Sequence, residues 1–481
     1  MHTHASPRLR GLSGFWLALA YVAALTVPLV LAYLYGRSHA LAWREACSAT
    51  GIVAGVALVL QFVTSGRFEL LSGRIGIDTT MAFHKWSARV LVYVIIVHAL
   101  TFVMPDLLAD PVRGLDRLLH LLFARGYLTG TLSAVATIVL VVMALHRDRL
   151  RHYAAWRASH GLLAIAAVVL LVMHVLRAGH YARSFPLDAL WPMLAIVVLA
   201  SAFVVYGDRA LQMLATKWRV VDNRKVADGL WEVTLRHDTG KRLAYRAGQF
   251  AWIAFGGRRF PLFDHPFSIA SAPSAGHDLA FVVKESGDFT QDIGRIPVGT
   301  KVGLDAPHGS FVLAEGSSDP LLLIAGGVGI APILGMLREL AARGDRRPVR
   351  LIYAGASPQG MIVPARIVRD ADGMDFKAIF LAEAAGPDWQ YWRGRVTLAV
   401  ITEALAGLDR AEVKAMLCGP GAMMCAACDL LGAAGVPLSA IRYERFDYAD
   451  AVRSAKDRRL LASFAAIGAA VAAAVVAFSL A

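Results

Sequence analysis

HKWSARVLVYVIIVH, residues 84–98, and HGLLAIAAVVLLVMH, residues 160–174, each open and close on a histidine, the two spaced by fourteen positions in both stretches. On an α-helix that interval is roughly 21 Å of rise and close to four whole turns, so both imidazoles of a pair leave the helix from one stripe. The rise is about two thirds of a ~30 Å hydrocarbon core. One helix therefore offers an imidazole near each membrane face, and two such helices side by side can clamp two stacked haems through His84, His98, His160 and His174. A lone intramembrane histidine can simply bond to a neighbouring helix, but four ionisable groups at matched depths are too costly to be incidental. The same faces carry Ser87, Ala88 and Leu91, and Ala164, Ala167 and Leu171. These slim residues leave room for a flat macrocycle, though small residues also serve plain helix contacts. No Cys-x-x-Cys-His occurs, so any haem is non-covalent and b-type.

The surrounding composition agrees with a membrane setting. With 57% hydrophobic residues and a mean hydropathy of +0.53, the 481-residue chain is too apolar for a soluble protein. Apolar runs fall at about 14–35, 46–63, 81–104, 129–145, 160–177 and 189–206, and again only at 460–481. They predict six spans, a long polar region and a seventh span. The first run follows Arg8 and Arg10 but exceeds a 7–15-residue signal h-region, which predicts an uncleaved anchor. With a cytoplasmic amino terminus, Arg67, Arg74, Arg147, Arg149, Arg151 and Arg157 fall inside, opposite Arg37, Arg44, Arg113, Arg117, Arg125 and Arg183. The bias is modest and positive-inside, and six spans return residue 207 to the cytoplasm; a multi-pass protein of the plasma (inner) membrane with a cytoplasmic polar region is the expectation.

A net charge of +13 is scattered over loops and a nucleotide-binding region, where topology and anionic cofactors account for it without nucleic acid. Four cysteines, Cys47, Cys418, Cys425 and Cys428, make no disulfide framework and fit a reducing compartment for the polar region. Cys425 and Cys428 form a Cys-x-x-Cys, but nothing beside it in the sequence supports redox chemistry.

The polar region changes grammar midway. From 215 to 318 the strands WRVV, GLWEVTLRH, GQFAWIAF, HPFSIAS, LAFVVKES and TKVGLDAPHGSF are punctuated by Gly, Pro and Asp, which predicts a small antiparallel β-barrel. From 319 to 448 the continuous apolar strands LLLIA, VRLIYAG, FKAIFLAE, VKAMLCG and AIRYERF alternate with Ala- and Leu-rich helices, which predicts an α/β doubly wound parallel sheet. The first of these strands enters AGGVGIAPIL, residues 325–334. There Gly326, Gly327 and Gly329 permit a tight turn and close approach to a pyrophosphate, and Pro332 suits the first turn of the helix whose amino end faces the phosphates. The chain thus divides into 1–210, 215–318, 319–448, and a basic linker with a carboxy-terminal helix at 449–481.

HPFSIAS at 265–271, AGGVGIAP at 325–332 and CGP at 418–420 together resemble the flavin and nicotinamide modules of the ferredoxin-NADP reductase superfamily. Preceded by six spans with paired histidines, residues 10–448 resemble the ferric reductase and NADPH oxidase family, prokaryotic members included. The resemblance implies FAD, two haem b and NADPH or NADH as cofactors. It implies that Phe267, beside Pro266, packs on the isoalloxazine, that Ser268 reaches its N5 edge, and that His265 faces the ribityl or phosphate region. Gly287 and Thr290 are implied as a second flavin-phosphate contact, donating backbone and hydroxyl hydrogen bonds. Cys418 and Gly419 would lie beside the nicotinamide, and Phe446 matches the aromatic that shields the flavin. After the second strand of the sheet, AGASPQG offers Ser357 but no adjacent Arg for a 2′-phosphate; Arg366 and Arg369 are the substitutes. The segment after Phe446, with Lys456, Arg458 and Arg459 before an Ala-rich helix, departs from the family; a returning anchor and a dimer-packing helix are both allowed.

The implied path runs from NAD(P)H through FAD to a cytoplasmic-side haem on His84 and His160, then to an outer haem on His98 and His174. With two imidazoles on each iron, the acceptor takes electrons at the haem edge. Oxygen giving superoxide is the first candidate, a ferric chelate attracted by the Arg rim the second, and a separate extracytoplasmic partner protein the third. A haem-binding transporter or sensor would leave the nicotinamide module unused. Oligomeric state stays open.

Overall fold

The computed structural model describes residues 11–36, 41–147, 153–183, 185–257, 259–445 and 453–481. In chain order it forms α1 (Gly14–Tyr35), α2 (Ala42–Val63), α3 (Glu69–Ile75), α4 (Ile77–Ala109), α5 (Pro111–Phe123), α6 (Leu128–Leu145), α7 (Tyr153–Ala178), α8 (Leu187–Ala202) and α9 (Arg209–Ala215), the last two joined by a π-helical segment over Phe203–Asp208. Then come β1 (Trp218–Ala227), β2 (Leu230–His237), β3 (Phe250–Phe255), β4 (His265–Ser268), β5 (Leu279–Lys284), the single turn α10 (Gly287–Thr290) and β6 (Lys301–His308). The remainder alternates through β7 (Leu321–Gly326), α11 (Ile330–Ala342), β8 (Val349–Gly355), α12 (Pro364–Asp370), β9 (Phe376–Ala382), β10 (Trp392–Arg393), α13 (Leu398–Ala404), β11 (Lys414–Cys418), α14 (Gly421–Ala433), β12 (Ile441–Glu444) and α15 (Ala455–Leu480). Two compact units result: Gly11–Leu71 with Thr79–Gly207 and Leu461–Ala481, and Ser72–Asp78 with Asp208–Leu460.

Among the described residues of the chain, seven helices are long and apolar enough to cross a membrane: α1, α2, α4, α6, α7, the continuous helix Leu187–Ala215, and α15. A helix satisfies its own backbone groups, which hydrocarbon demands. Within the bundle α2 is the central element, with 67% of its most apolar stretch buried against 11–28% for the other six, which therefore turn apolar side chains toward lipid. The seventh helix is a packed member of the bundle. It buries Phe464, Val471 and Phe478 at seven-residue intervals, with Phe464 edge-on to Phe83 at 5.1 Å and Phe478 edge-on to Tyr181 at 5.9 Å.

The other unit holds both polar folds. Six antiparallel strands pair in the order β4-β3-β6-β1-β2-β5, and a bridge between Ile269 and Phe281 brings the two edges together into the expected barrel. Its interior is filled by inward residues including Val220, Val233, Leu235, Ile253, Phe281 and Leu304. The second sheet is parallel, in the order β10-β9-β8-β7-β11-β12, and β7 is buried along its whole length, as a strand covered on both faces must be. The sixth expected span, read as ending at 206, runs on as helix to Ala215. The extension is held to the barrel by an ion pair from Arg209 to Asp305 at 3.0 Å, with His308 Nε2 2.8 Å from the same carboxylate.

Candidate functional site

Helices α4 and α7 run in the same direction, since a single span, α6, lies between them, and each carries one histidine in its first half and one in its second. His84 and His160 share the end at which the chain leaves the bundle at residue 207, and His98 and His174 share the far end. Each of these pairs lies within electrostatic range across the two helices. His98 Nδ1 donates to the Cys47 carbonyl at 2.9 Å, and because a carbonyl can only accept, the proton sits on Nδ1 and the Nε2 lone pair is left for another partner. At His84, Nδ1 lies 3.5 Å from Thr64 Oγ1, whose own proton goes to the Leu60 carbonyl, so the same tautomer follows. A backbone carbonyl on the far ring nitrogen is how metal-bound histidines are oriented.

The surroundings of the rings fit haem. A Cβ at Gly51 would stand 2.8 Å from His98 Cε1, and one at Gly130 would stand 2.6 Å from His174 Nδ1, so α2 and α6 are cut back where the far-end imidazoles lie. The buried atoms His160 Nδ1, His174 Nδ1, Trp156 Nε1 and Gln61 Oε1 have no hydrogen-bond partner among the described residues, an unusual concentration. Among the described residues no group of three or more His, Cys, Asp or Glu side chains gathers into a metal site; a bis-imidazole haem needs only two.

In the barrel, β4 is an edge strand paired with β3, so the exposed Pro266 leaves no ladder bond unmade. His265 and Phe267 point to one side and Ser268, 5% exposed, to the other. His265 stacks on Phe289 with ring centroids 4.6 Å apart and planes 6° apart, and Phe289 stacks in turn on Phe255 at 5.8 Å. The resulting aromatic shelf includes Phe289, which the sequence reading passed over inside SGDFT. Gly287 adopts φ +71° with open space around its Cβ position, so its backbone is accessible to a ligand. The Thr290 hydroxyl instead donates to the Ser286 carbonyl and accepts from the Ser286 amide at 2.9 Å, closing its own turn.

The parallel sheet has its topological switch between β7 and β11, the position where open α/β sheets take their ligands at the carboxyl ends of the strands. The glycine turn and the CGP turn meet there. A Cβ on Gly329 would fall 2.1 Å from the Cys418 carbonyl, and one on Gly326 would fall 2.6 Å from Met423 Cε, whereas Gly327, at φ +53°, faces open space. Two of the three glycines thus serve backbone-to-backbone packing, and Gly327 is the one a phosphate can approach. Pro332 is buried in the first turn of α11, and Gly419 abuts Gly326. Gly329→Ala is expected to push the CGP turn away, costing about 1–3 kcal/mol of stability and up to about 100-fold in dye-coupled NAD(P)H oxidation; thermal unfolding and steady-state rates check it.

Cys418 is fully buried, and burial, followed by the nearby Glu444 charge, pushes its thiol well above the usual range. Glu444, its neighbour across β11 and β12, is 3% exposed, with Oε2 unpartnered among the described residues. Burial, then Asp78, holds its carboxyl well above the usual carboxylate range. The Glu444 carboxyl and the Cys418 thiol therefore stand side by side where β11 and β12 end, both buried. Sequence reading quoted Glu444 within ERFDY without giving it a role, since only its burial singles it out. Phe446 lies outside the described residues. Arg366 is not free for a 2′-phosphate, because its guanidinium is engaged by Glu232, leaving Arg369, exposed near the end of α12.

A seven-span bundle with two depths of paired imidazole, followed by an antiparallel barrel and a doubly wound parallel sheet, defines a membrane-bound flavin- and nicotinamide-binding oxidoreductase. Residues 50–171 match the family described as ferric reductase like transmembrane component, residues 216–311 an FAD-binding domain, and residues 323–429 an oxidoreductase NAD-binding domain. The three matches in that order join a ferric reductase-like transmembrane component to FAD- and NAD-binding modules, the arrangement found in ferric reductase and NADPH oxidase-like proteins. The reductase component of propane 2-monooxygenase from Mycolicibacterium goodii is 31% identical over 209 residues, covering 42% of this chain and 59% of its own length. The same component from Mycolicibacterium smegmatis is 34% identical over 189 residues, covering 37% and 53%. A flavohemoglobin from Malassezia yamatoensis, solved with bound FAD and heme, aligns at a TM-score of 0.46 and 19% identity over 77% of this chain and 99% of that one. The chain spans about half the length of the curated relatives it matches.

Proposed function

We propose that the protein moves electrons from NAD(P)H on the cytoplasmic side, through FAD and two b-type haems, to O2 at the far membrane face, releasing superoxide. The observation that carries this reading is the pairing of His84 with His160 and of His98 with His174 at two depths of one bundle, with the proton of each α4 imidazole placed on Nδ1. When bound, FAD and haem supply hydride acceptance, its division into single electrons, and their passage through the bilayer. The chain's own residues do the rest. Gly327 and the start of α11 receive the pyrophosphate of NAD(P)H, and the turn at Cys418 and Gly419 positions its nicotinamide end, with Glu444 buried beside Cys418. The shelf of His265, Phe267, Phe289 and Phe255 receives the flavin, with Ser268 at its edge and Gly287 offering backbone to its phosphates; Phe446 is assigned to the flavin face from the sequence. His84, His98, His160 and His174 would hold the two haems, His84 with His160 and His98 with His174, and two imidazoles to an iron would leave the acceptor to take electrons without binding it.

Ferric-chelate reduction is the second reading. It is favoured by the exposed Arg113, Arg125, Arg177 and Arg183 around the far end, which would attract anionic chelates. Purified protein supplied with FAD and NAD(P)H in air is expected to reduce cytochrome c in a manner abolished by superoxide dismutase. Ferric reduction that persists, and runs faster, without oxygen would replace the first reading by the second; transfer only on addition of a further protein would overturn both.

A further inference from the structure

Between the two histidine stretches, α5 has a part that electron transfer does not use. Asp110 caps it, accepting from the amides of Val112 and Arg113 at 3.0 and 3.3 Å, and Pro111 opens its first turn. It has three faces. Gly114 is buried and packed so closely on Leu107 that a Cβ would lie 2.5 Å from the Leu107 Cα, which fixes the bundle side. Arg113, Asp116 and His120 form an exposed polar side. Val112, Leu115, Leu119 and Phe123, on the third side, are 79%, 53%, 50% and 76% exposed among the described residues.

We propose that α5 is an interfacial helix, lying in the bilayer surface at the far end with Val112, Leu115, Leu119 and Phe123 seated at the boundary between acyl chains and headgroups. The occupant is lipid because of where the helix sits. α5 joins α4 directly to α6, so both its ends are tied to membrane spans at one face of the bilayer, and its apolar side continues the exposed apolar side chains Leu108 and Leu128 at their ends. A length of about 20 Å, a clean polar side and basic residues on it are what a helix lying in that plane requires. The seating also bears on the far-end imidazole. Arg117 pairs with Asp106 at 2.5 Å and lies over the Phe102 ring at 5.8 Å, Phe102 packs on Tyr127 at 5.7 Å, and Tyr127 on His174 at 6.4 Å.

The native cysteines are all buried, so a fluorophore can be placed at Leu119→Cys, Phe123→Cys or Arg113→Cys in the full chain, reconstituted in phosphatidylcholine nanodiscs. Labels at 119 and 123 are expected to be quenched by doxyl-phosphatidylcholine, at a depth about 5–10 Å below the surface, and protected from aqueous iodide; the label at 113 should show the reverse. Equal iodide quenching at all three positions overturns the proposal. Protection at 119 and 123 from lipid and aqueous quenchers alike, with label-to-label distances that reveal a second copy, overturns it in favour of self-association. The two apolar positions serve as independent variants should either one disturb folding.

Discussion

His98→Leu is expected to leave a protein that still oxidises NAD(P)H with a soluble dye, yet shows about half the reduced b-type absorbance and passes no electrons to the far-face acceptor. The reasoning starts from what the imidazole touches. Its ring lies against Gly51 of α2, and among the described residues its polar ties run to Cys47, to the carbonyl at 2.9 Å and to Sγ at 3.6 Å, so a leucine of similar girth keeps the contact and removes the nitrogen. In hydrocarbon the freed carbonyl is already bonded within its helix, so the bundle is expected to hold. Altering a group merely hydrogen-bonded to a ligand costs 10–100-fold in metal affinity or activity, and loss of the ligand itself takes that range as its floor. His174→Leu should copy the result, because it removes the opposite imidazole from the same iron. His84→Leu should take away the other half of the absorbance and stop transfer a step earlier. Dye reduction is the internal control, since β7, β11 and the flavin shelf belong to the separate unit that starts at Asp208. Full absorbance and unchanged potentials in both His98→Leu and His174→Leu would remove the basis of the proposed function.

The spans were legible because a bilayer permits little else: unbroken apolar runs must be helices, and the fourteen-residue spacing reports the stripe directly. The barrel and the parallel sheet were legible from the change between punctuated and continuous apolar strands, and the glycine turn from its place after the first of these. What escaped has a common physical cause, that it depends on partners distant in sequence. Phe289 matters through the plane it shares with His265, and Glu444 through being buried beside Cys418. Gly326 and Gly329 looked like ligand glycines, yet they are required by the CGP turn against them. Arg366 looked available for a phosphate because nothing nearby in sequence neutralises it; its partner, Glu232, is 134 positions away. Helix α5, amphipathic where the flanking spans are uniformly apolar, lacks the signal by which those spans are recognised.

That same Glu232 carries the second large effect: Glu232→Gln is expected to destabilise the unit that starts at Asp208 by about 3–5 kcal/mol, the cost of leaving buried charge without its partner. For a domain of this size the loss corresponds to about 6–20 °C in unfolding temperature. Glu232 is 2% exposed on β2 of the barrel. Its Oε2 accepts from Arg224 at 2.6 Å and from Arg366 of α12, and its Oε1 accepts from Arg338 of α11 at 3.3 Å. Arg338 also bonds the Ala270 carbonyl at 2.8 Å and Asp370 at 2.9 Å, so one carboxylate ties the flavin barrel to two helices of the nicotinamide fold. Glutamine keeps the shape and abolishes the charge, leaving guanidiniums whose side chains are only 18% and 26% exposed facing one another. Removing one arginine instead should cost much less, because two others remain; Arg366→Met is the comparison. The pH dependence follows in sign. Burial raises the Glu232 pKa, but hydrogen bonds from Arg366 and Arg224 and the Arg338 charge outweigh it and hold the carboxyl below its ordinary range. A group whose folded pKa is depressed contributes fully above its unfolded value, about 4.3 for Glu, and loses that contribution as pH falls through the folded value. The stability gap between the native chain and Glu232→Gln should therefore be constant near neutrality and close in acid. A gap below about 0.5 kcal/mol at pH 7, the range of an ordinary surface change, would mean the three arginines are held by something other than this carboxylate.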